Sequence, residues 1–141
     1  MRKIDRKYED FFDNIFIDIT EYISPFLYAT GHTPNILTTY SLLLGLLSSY
    51  FLYNDNLLVF VILYLIAYFF DCADGHFARK YKMSSKYGDL YDHGVDITKN
   101  ITLFLVVIKK YYKHITIMNV LVLILFFIIM LAHLGCTQKI I

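Results

Sequence analysis

With 141 residues, a 57% hydrophobic composition and a formal net charge of +1, the chain is the size of one domain and too apolar for an ordinary soluble one. A balance so near neutral gives no electrostatic reason to expect nucleic acid or an acidic partner. The two cysteines, Cys72 and Cys136, form no CxxC pair, so neither a disulfide framework nor a zinc site is expected. Both read as small buried hydrophobes.

The opening is charged. Arg2, Lys3, Asp5, Arg6 and Lys7 stand where a secretory signal would carry its apolar stretch, so no cleavable signal peptide is expected. Residues 5–28 read as an amphipathic helix lying on a membrane rather than across it. Tyr8, Phe12, Ile15, Ile19 and Tyr22 recur in steps of four and three, which gathers them on one face. Glu9, Asp13, Asp18 and Glu21 keep charge elsewhere on the same helix, which favours the interface over the bilayer interior.

Gly31, His32, Thr33 and Pro34 break this helix; Thr33 can cap the next one and Pro34 fits its first turn. Residues 36–53 and 57–70 contain no charge, and further apolar runs cover 101–108 and 115–134. Spanning a bilayer takes about 20 apolar residues. The first and last runs approach that length unaided, whereas the middle two reach it only by including the polar stretch between them. That stretch is therefore expected at membrane depth. The predicted spans are 35–53, 57–80, 88–108 and 115–135, with Asn54, Asp55 and Asn56 as one turn, a polar loop at 81–87 and a turn at 109–114. The fold class is all-α: a single membrane domain over 1–141, a bundle of about four transmembrane helices behind the interfacial one. With the N-terminus inside, Arg79, Lys80, Lys82 and Lys86 are inside too, as the positive-inside rule requires, while Lys109, Lys110 and Lys113 break it.

The informative residues are Asp71, Asp74, Gly75, Ala78 and Arg79, followed after eight residues by Gly88, Asp92 and Asp96. On a helix Asp71 and Asp74 share one face, and Asp92 and Asp96 share a face of the next. A short turn sets those faces opposite each other, which converges four carboxylates. Carboxylates at membrane depth cost several kcal/mol each unless compensated, so they are functional by default. Hard cations such as Mg²⁺ or Mn²⁺ are the natural compensation, and four acids can hold two of them in the arrangement that clamps a phosphate. Gly75, Ala78, Gly88 and Gly94 allow close approach of a backbone or nucleotide. Arg79, one turn beyond Asp74, is placed for bidentate phosphate contact. His93 reads equally as a partner of the metal site or as an ordinary helix residue. Lys80, Lys82 and Lys86 read as a solvated anchor rather than as phosphate ligands.

This stretch resembles the CDP-alcohol phosphotransferase family, whose pattern D-x2-D-G-x2-A-R-x8-G-x3-D-x3-D is filled at Asp71, Asp74, Gly75, Ala78, Arg79, Gly88, Asp92 and Asp96. Thr33-Pro34-Asn35-Ile36-Leu37-Thr38, with Gly45 later, is similar to the opening of that family's first membrane helix. The resemblance implies metal ligation by Asp71, Asp74 and Asp92. It implies Asp96 as general base on the acceptor hydroxyl, also touching a metal. Gly75, Ala78, Arg79 and Gly88 would line the CDP site beside Asp71, Asp74 and Asp92. It further implies Mg²⁺ or Mn²⁺ in a two-metal site, a CDP-alcohol donor, a lipid or small alcohol acceptor, membrane lipids around a homodimer, and no nucleic acid. The expected location is an endomembrane such as the endoplasmic reticulum in a eukaryote, or the inner membrane of a bacterium, with the site facing the cytosol. Asp92-His93-Gly94-Val95-Asp96 resembles the choline and ethanolamine phosphotransferases, against the reverse arrangement in which a lipid CDP-diacylglycerol meets a soluble alcohol. The family resembles a six-helix fold, of which four spans are read here. A non-catalytic homologue that binds nucleotide or lipid, or pairs with a full-length relative, is thus the alternative. A cation-conducting pore is a third, and it has no need of Gly75, Ala78 and Arg79.

Overall fold

A computed structural model describes residues 11–111. They form four helices: α1 (Phe11–Ala29), α2 (Pro34–Tyr53), α3 (Leu57–Lys80) and α4 (Lys86–Tyr111). The predicted span at 115–135, Tyr8, Glu9 and Cys136 lie outside the described residues. The chain divides into two compact units, Met1–Val106 and Val107–Ile141. The site lies wholly within the first; of the second, the described residues hold only 107–111, at the end of α4. Each helix boundary has a local cause. α1 ends on Gly31 at φ 78°, α2 on Asp55 at φ 63° and α3 on Lys82 at φ 55°. In each case the next N–H turns back to a carbonyl five residues earlier: His32 to Leu27, Asn56 to Phe51 and Met83 to Ala78. This left-handed closure satisfies carbonyls that the helix leaves open, and it lets connections of three to five residues reverse the chain. Thr33 does precede α2 with Pro34 in its first turn, but its side chain makes no capping bond; Asn56 instead caps α3 by accepting from the Val59 N–H at 3.3 Å.

α2 and α3 pack closely as an antiparallel pair and α1 leans on α3, while the α4 backbone stands farther off. The seam of α2 is built from small or polar residues, with Thr38, Ser41, Gly45, Ser48 and Ser49 all buried. Ser48 and Ser49 donate to the Gly45 carbonyl at 2.7 and 3.1 Å, so their hydroxyls are satisfied without a partner helix. Small residues at such a seam bring backbones close, the usual basis of helix association in lipid. Beneath the acids a compact apolar cluster of Leu37, Ala73 and Phe77 is sealed by Leu27, Phe69, Phe70 and Tyr81.

α1 has two unlike sides. The stripe of Phe12, Ile15, Ile19 and Tyr22 is exposed, and Ile17, Thr20 and Ser24 are buried instead. The helix turns its mixed, partly charged side to α3 and its aromatic side outward. Pro25 lies inside α1 and has no N–H to offer the Glu21 carbonyl. That carbonyl accepts from Ser24 Oγ at 3.1 Å and from Lys80 Nζ at 3.2 Å.

Among the described residues, α2 and α3 are long and apolar enough to cross a membrane. α4 runs as one helix through Lys109 and Lys110, past the predicted end of the third span and into the predicted turn at 109–114. It carries Lys86, Asp89, Asp92, Asp96 and Lys99, so it is not apolar enough for the same description.

Candidate metal centre

The acids lie where α3 and α4 face each other across α2. One carboxylate oxygen from each of Asp71, Asp92 and Asp96 falls within 4.8 Å of the others. The helical spacing explains this: Asp92 and Asp96 are one turn apart on α4, and Asp71 projects from the facing side of α3. Asp74, the fourth predicted ligand, is outside this trio and is almost fully buried at 5% exposure. Its Oδ2 accepts a short hydrogen bond from Thr38 Oγ1 of α2. Asp71 accepts from Ser41 Oγ at 3.3 Å.

The main correction to the sequence picture is a cation. Lys99, one turn beyond Asp96, places Nζ 2.5 Å from Asp71 Oδ1 and 2.9 Å from Asp96 Oδ1. Sequence reasoning missed it, although a signal existed: Lys99 interrupts an uncharged run and shares a helix face with Asp92 and Asp96. Thr38 and Ser41 could not have been matched to particular acids, because that requires the register of α2 against α3.

Asp92 is the clearest test of whether the trio fits a metal. Its Oδ1 is buried and has no hydrogen-bond partner among the described residues. A buried carboxylate oxygen without a donor is costly, and a cation held with Asp71 and Asp96 would satisfy it. The donors are all carboxylate oxygens, which suit Mg²⁺ or Mn²⁺ and not a soft metal.

Beside the trio an open cleft is lined by Asp74, Gly75, Ala78, Gly88 and Asp92, together with Asn35, Thr38 and the 83–85 turn. Five of the residues expected at a CDP site thus share one wall. Asp71 is not on it, and neither is Arg79, whose guanidinium folds back over Gly75: a Cβ added there would lie 3.2 Å from its Nη1. At Gly88 an added Cβ would meet Ser85 Oγ at 3.2 Å and Asn35 Oδ1 at 3.4 Å. Gly94, by contrast, has nothing within 4 Å, so no neighbour in this structure requires a glycine there. His93 bonds its own helix, with Nδ1 2.7 Å from the Asp89 carbonyl.

A second polar cluster joins α1 to α3. Glu21 receives His76 Nε2 at 2.6 Å on one oxygen and Lys80 Nζ at 2.8 Å on the other. Lys80 and then His76 hold the Glu21 carboxyl down at about 2. Lys80 also donates to Ser24 Oγ at 2.7 Å, so it belongs to the α1 contact. Asp13 accepts from the Tyr68 hydroxyl at 2.5 Å and from Cys72 Sγ at 3.7 Å.

Comparison with known proteins bears on this geometry. The profile of the CDP-alcohol phosphatidyltransferase family matches residues 31–139. An uncharacterized protein of Aquifex aeolicus is 36% identical over 64 residues, covering 45% of this chain and 33% of its own. The match therefore covers about one third of that relative's length. No solved structure matches the chain.

Proposed function

Because the chain belongs to the CDP-alcohol phosphatidyltransferase family, we propose that it transfers a substituted phosphate from a CDP-linked donor to an alcohol and releases CMP, within a membrane. The observation that carries this reading is the meeting of Asp71, Asp92 and Asp96 oxygens within 4.8 Å at three of the four acidic positions of the motif. These three acids would hold Mg²⁺ or Mn²⁺, with Asp74 close by. When bound, the ions supply positive charge to the pyrophosphate as CMP leaves.

The remaining work falls to the chain's own groups. Gly75, Ala78 and Gly88 leave the cleft wall without bulky side chains, so a nucleotide can lie against the helices. Arg79, outside that wall with its guanidinium folded over Gly75, is suited to bidentate phosphate contact. Asp96, more exposed than Asp71, takes the proton from the acceptor hydroxyl, which must come within hydrogen-bond reach for this role. The α2–α3 seam and the Leu37–Ala73–Phe77 cluster keep the acids in register.

The four-span bundle, the interfacial placement of α1 and a cytosolic site belong to the same proposal. The two apolar helices and the outward aromatic side of α1 support it. The donor is CDP-choline or CDP-ethanolamine, or a CDP-diacylglycerol, and the partner a second copy of the chain. Lys99 holding Asp96, the proposed base, favours a second reading: a non-catalytic homologue that only binds the nucleotide. CMP release decides between them. The full chain in lipid nanodiscs is expected to release CMP from a donor of one kind when Mn²⁺ and the matching alcohol are present. Metal-dependent CDP binding without CMP release, across both kinds of donor, selects the binding homologue.

A further inference from the structure

Groups from three helices meet at Lys99, and the reading above leaves this lysine unexplained. Its side chain is only 13% exposed. Nζ donates to Asp71 Oδ1 at 2.5 Å, to Ser41 Oγ at 2.8 Å and contacts Asp96 Oδ1 at 2.9 Å. An ammonium has three N–H donors, and each has an acceptor here. The stem is seated as closely as the head. A Cβ added at Gly45 of α2 would lie 2.9 Å from Lys99 Cδ and 3.0 Å from Cγ, so the glycine opens the path along which the lysine reaches the acids. Two of the three acids in the trio are the two that Lys99 holds.

We propose that Lys99 is a resident competitor for the metal centre: its ammonium neutralises Asp71 and Asp96, and a divalent cation must win those oxygens from it. The proposal rests on the metal-centre reading given above. Two cations drawing on the same pair of carboxylates repel each other at short range, so each lowers the other's hold. The effect is reciprocal: whatever Lys99 costs the metal, the metal costs the Lys99 contacts. Lys99 therefore sets the metal affinity of the centre and secures α4 against α2 and α3 through Ser41, Asp71 and Asp96.

The test is a titration of Mn²⁺ into the full chain in nanodiscs, read by the loss of the free Mn²⁺ resonance signal. Lys99→Met is expected to bind Mn²⁺ more tightly, by roughly 5- to 150-fold, the usual range for two coupled sites. The same variant is expected to melt below the wild type in excess EDTA. Gly45→Ala keeps the charge but crowds the lysine stem. It should shift Mn²⁺ affinity in the same direction by less, and add nothing in the Lys99→Met background. Equal or weaker Mn²⁺ binding by a helical Lys99→Met protein overturns the proposal. Should that variant not fold, unchanged Mn²⁺ affinity in Gly45→Ala overturns it. Loss of saturable Mn²⁺ binding in the wild type and both variants is a different failure, and removes the metal-centre reading itself.

Discussion

Two polar clusters on α3 are built from similar residues and resolved differently. Where α3 meets α1, Glu21 takes a side-chain partner on each oxygen, from His76 and Lys80, and the carbonyl freed by Pro25 is taken up as well. Where α3 meets α4, one lysine serves two acids, Thr38 serves a third, and a buried oxygen of Asp92 has no donor among the described residues. The first cluster pairs both oxygens of its acid with side chains, and what it leaves buried without a partner among the described residues is a ring nitrogen, His76 Nδ1. The second keeps carboxylate oxygens in hand, as a site for an added cation should. The difference separates a structural contact from a candidate centre more sharply than the acids' proximity does.

Substitutions at the two clusters should therefore read out in different currencies. The largest effects belong to the acids. Asp96→Asn should lower turnover by roughly 10²-fold or more, the scale of lost general-base catalysis, while largely keeping CDP affinity. Asp71→Asn should weaken both binding and turnover. If steady-state rates and CDP titrations show Asp96→Asn losing CDP as severely as Asp71→Asn, Asp96 is chiefly a ligand and the division of roles is wrong. Next in size is Phe77→Ala. Phe77, one turn beyond Asp74 on α3, is fully buried against Leu37 and Ala73, and its removal should cost about 3–5 kcal/mol by the cavity it leaves. Denaturant unfolding checks this, and a loss under 1 kcal/mol would mean the cluster beneath the acids is loosely packed.

Glu21→Gln should matter less, and only for stability. The folded pKa of Glu21 is depressed from 4.5 to about 2. Its contribution is thus fully present above pH 4.5 and is lost as pH falls towards 2. Glu21 is 56% exposed, so solvent screening limits the effect to less than about 1 kcal/mol. Melting curves of both proteins should differ at pH 7 and converge on acidification; a difference constant with pH would contradict the clamp. The smallest expected change is Lys82→Gly at the end of α3. Lys82 sits at φ 55°, a conformation glycine adopts without cost, so stability should hold or rise by up to about 1 kcal/mol. A clear fall in melting temperature would show that the Lys82 side chain does more than close the helix.

The sequence carried the acids because their spacing alone fixes a helix face: Asp71 with Asp74, Asp92 with Asp96. It carried α2 and α3 because unbroken apolar runs between turn residues admit little else. In α1 the stripe of Phe12, Ile15, Ile19 and Tyr22 is legible from its spacing and is turned outward. In water such a stripe seeks the core, whereas a helix on a membrane can give it to lipid and dock through its polar side. Asp13 meeting Tyr68, Glu21 meeting His76 and Thr38 meeting Asp74 were not legible, since each depends on how one helix is rotated and slid against another. Lys99 lies between these cases. Its face could be read from its spacing to Asp92 and Asp96, but its path past Gly45 could not.

The most direct test of the metal-centre account is CDP binding to the full chain in nanodiscs, titrated with Mn²⁺ and then with excess EDTA. The account predicts saturable binding with Mn²⁺ that disappears with EDTA and is absent in Asp92→Asn. CDP binding of equal strength in EDTA, or undiminished in Asp92→Asn, would contradict it.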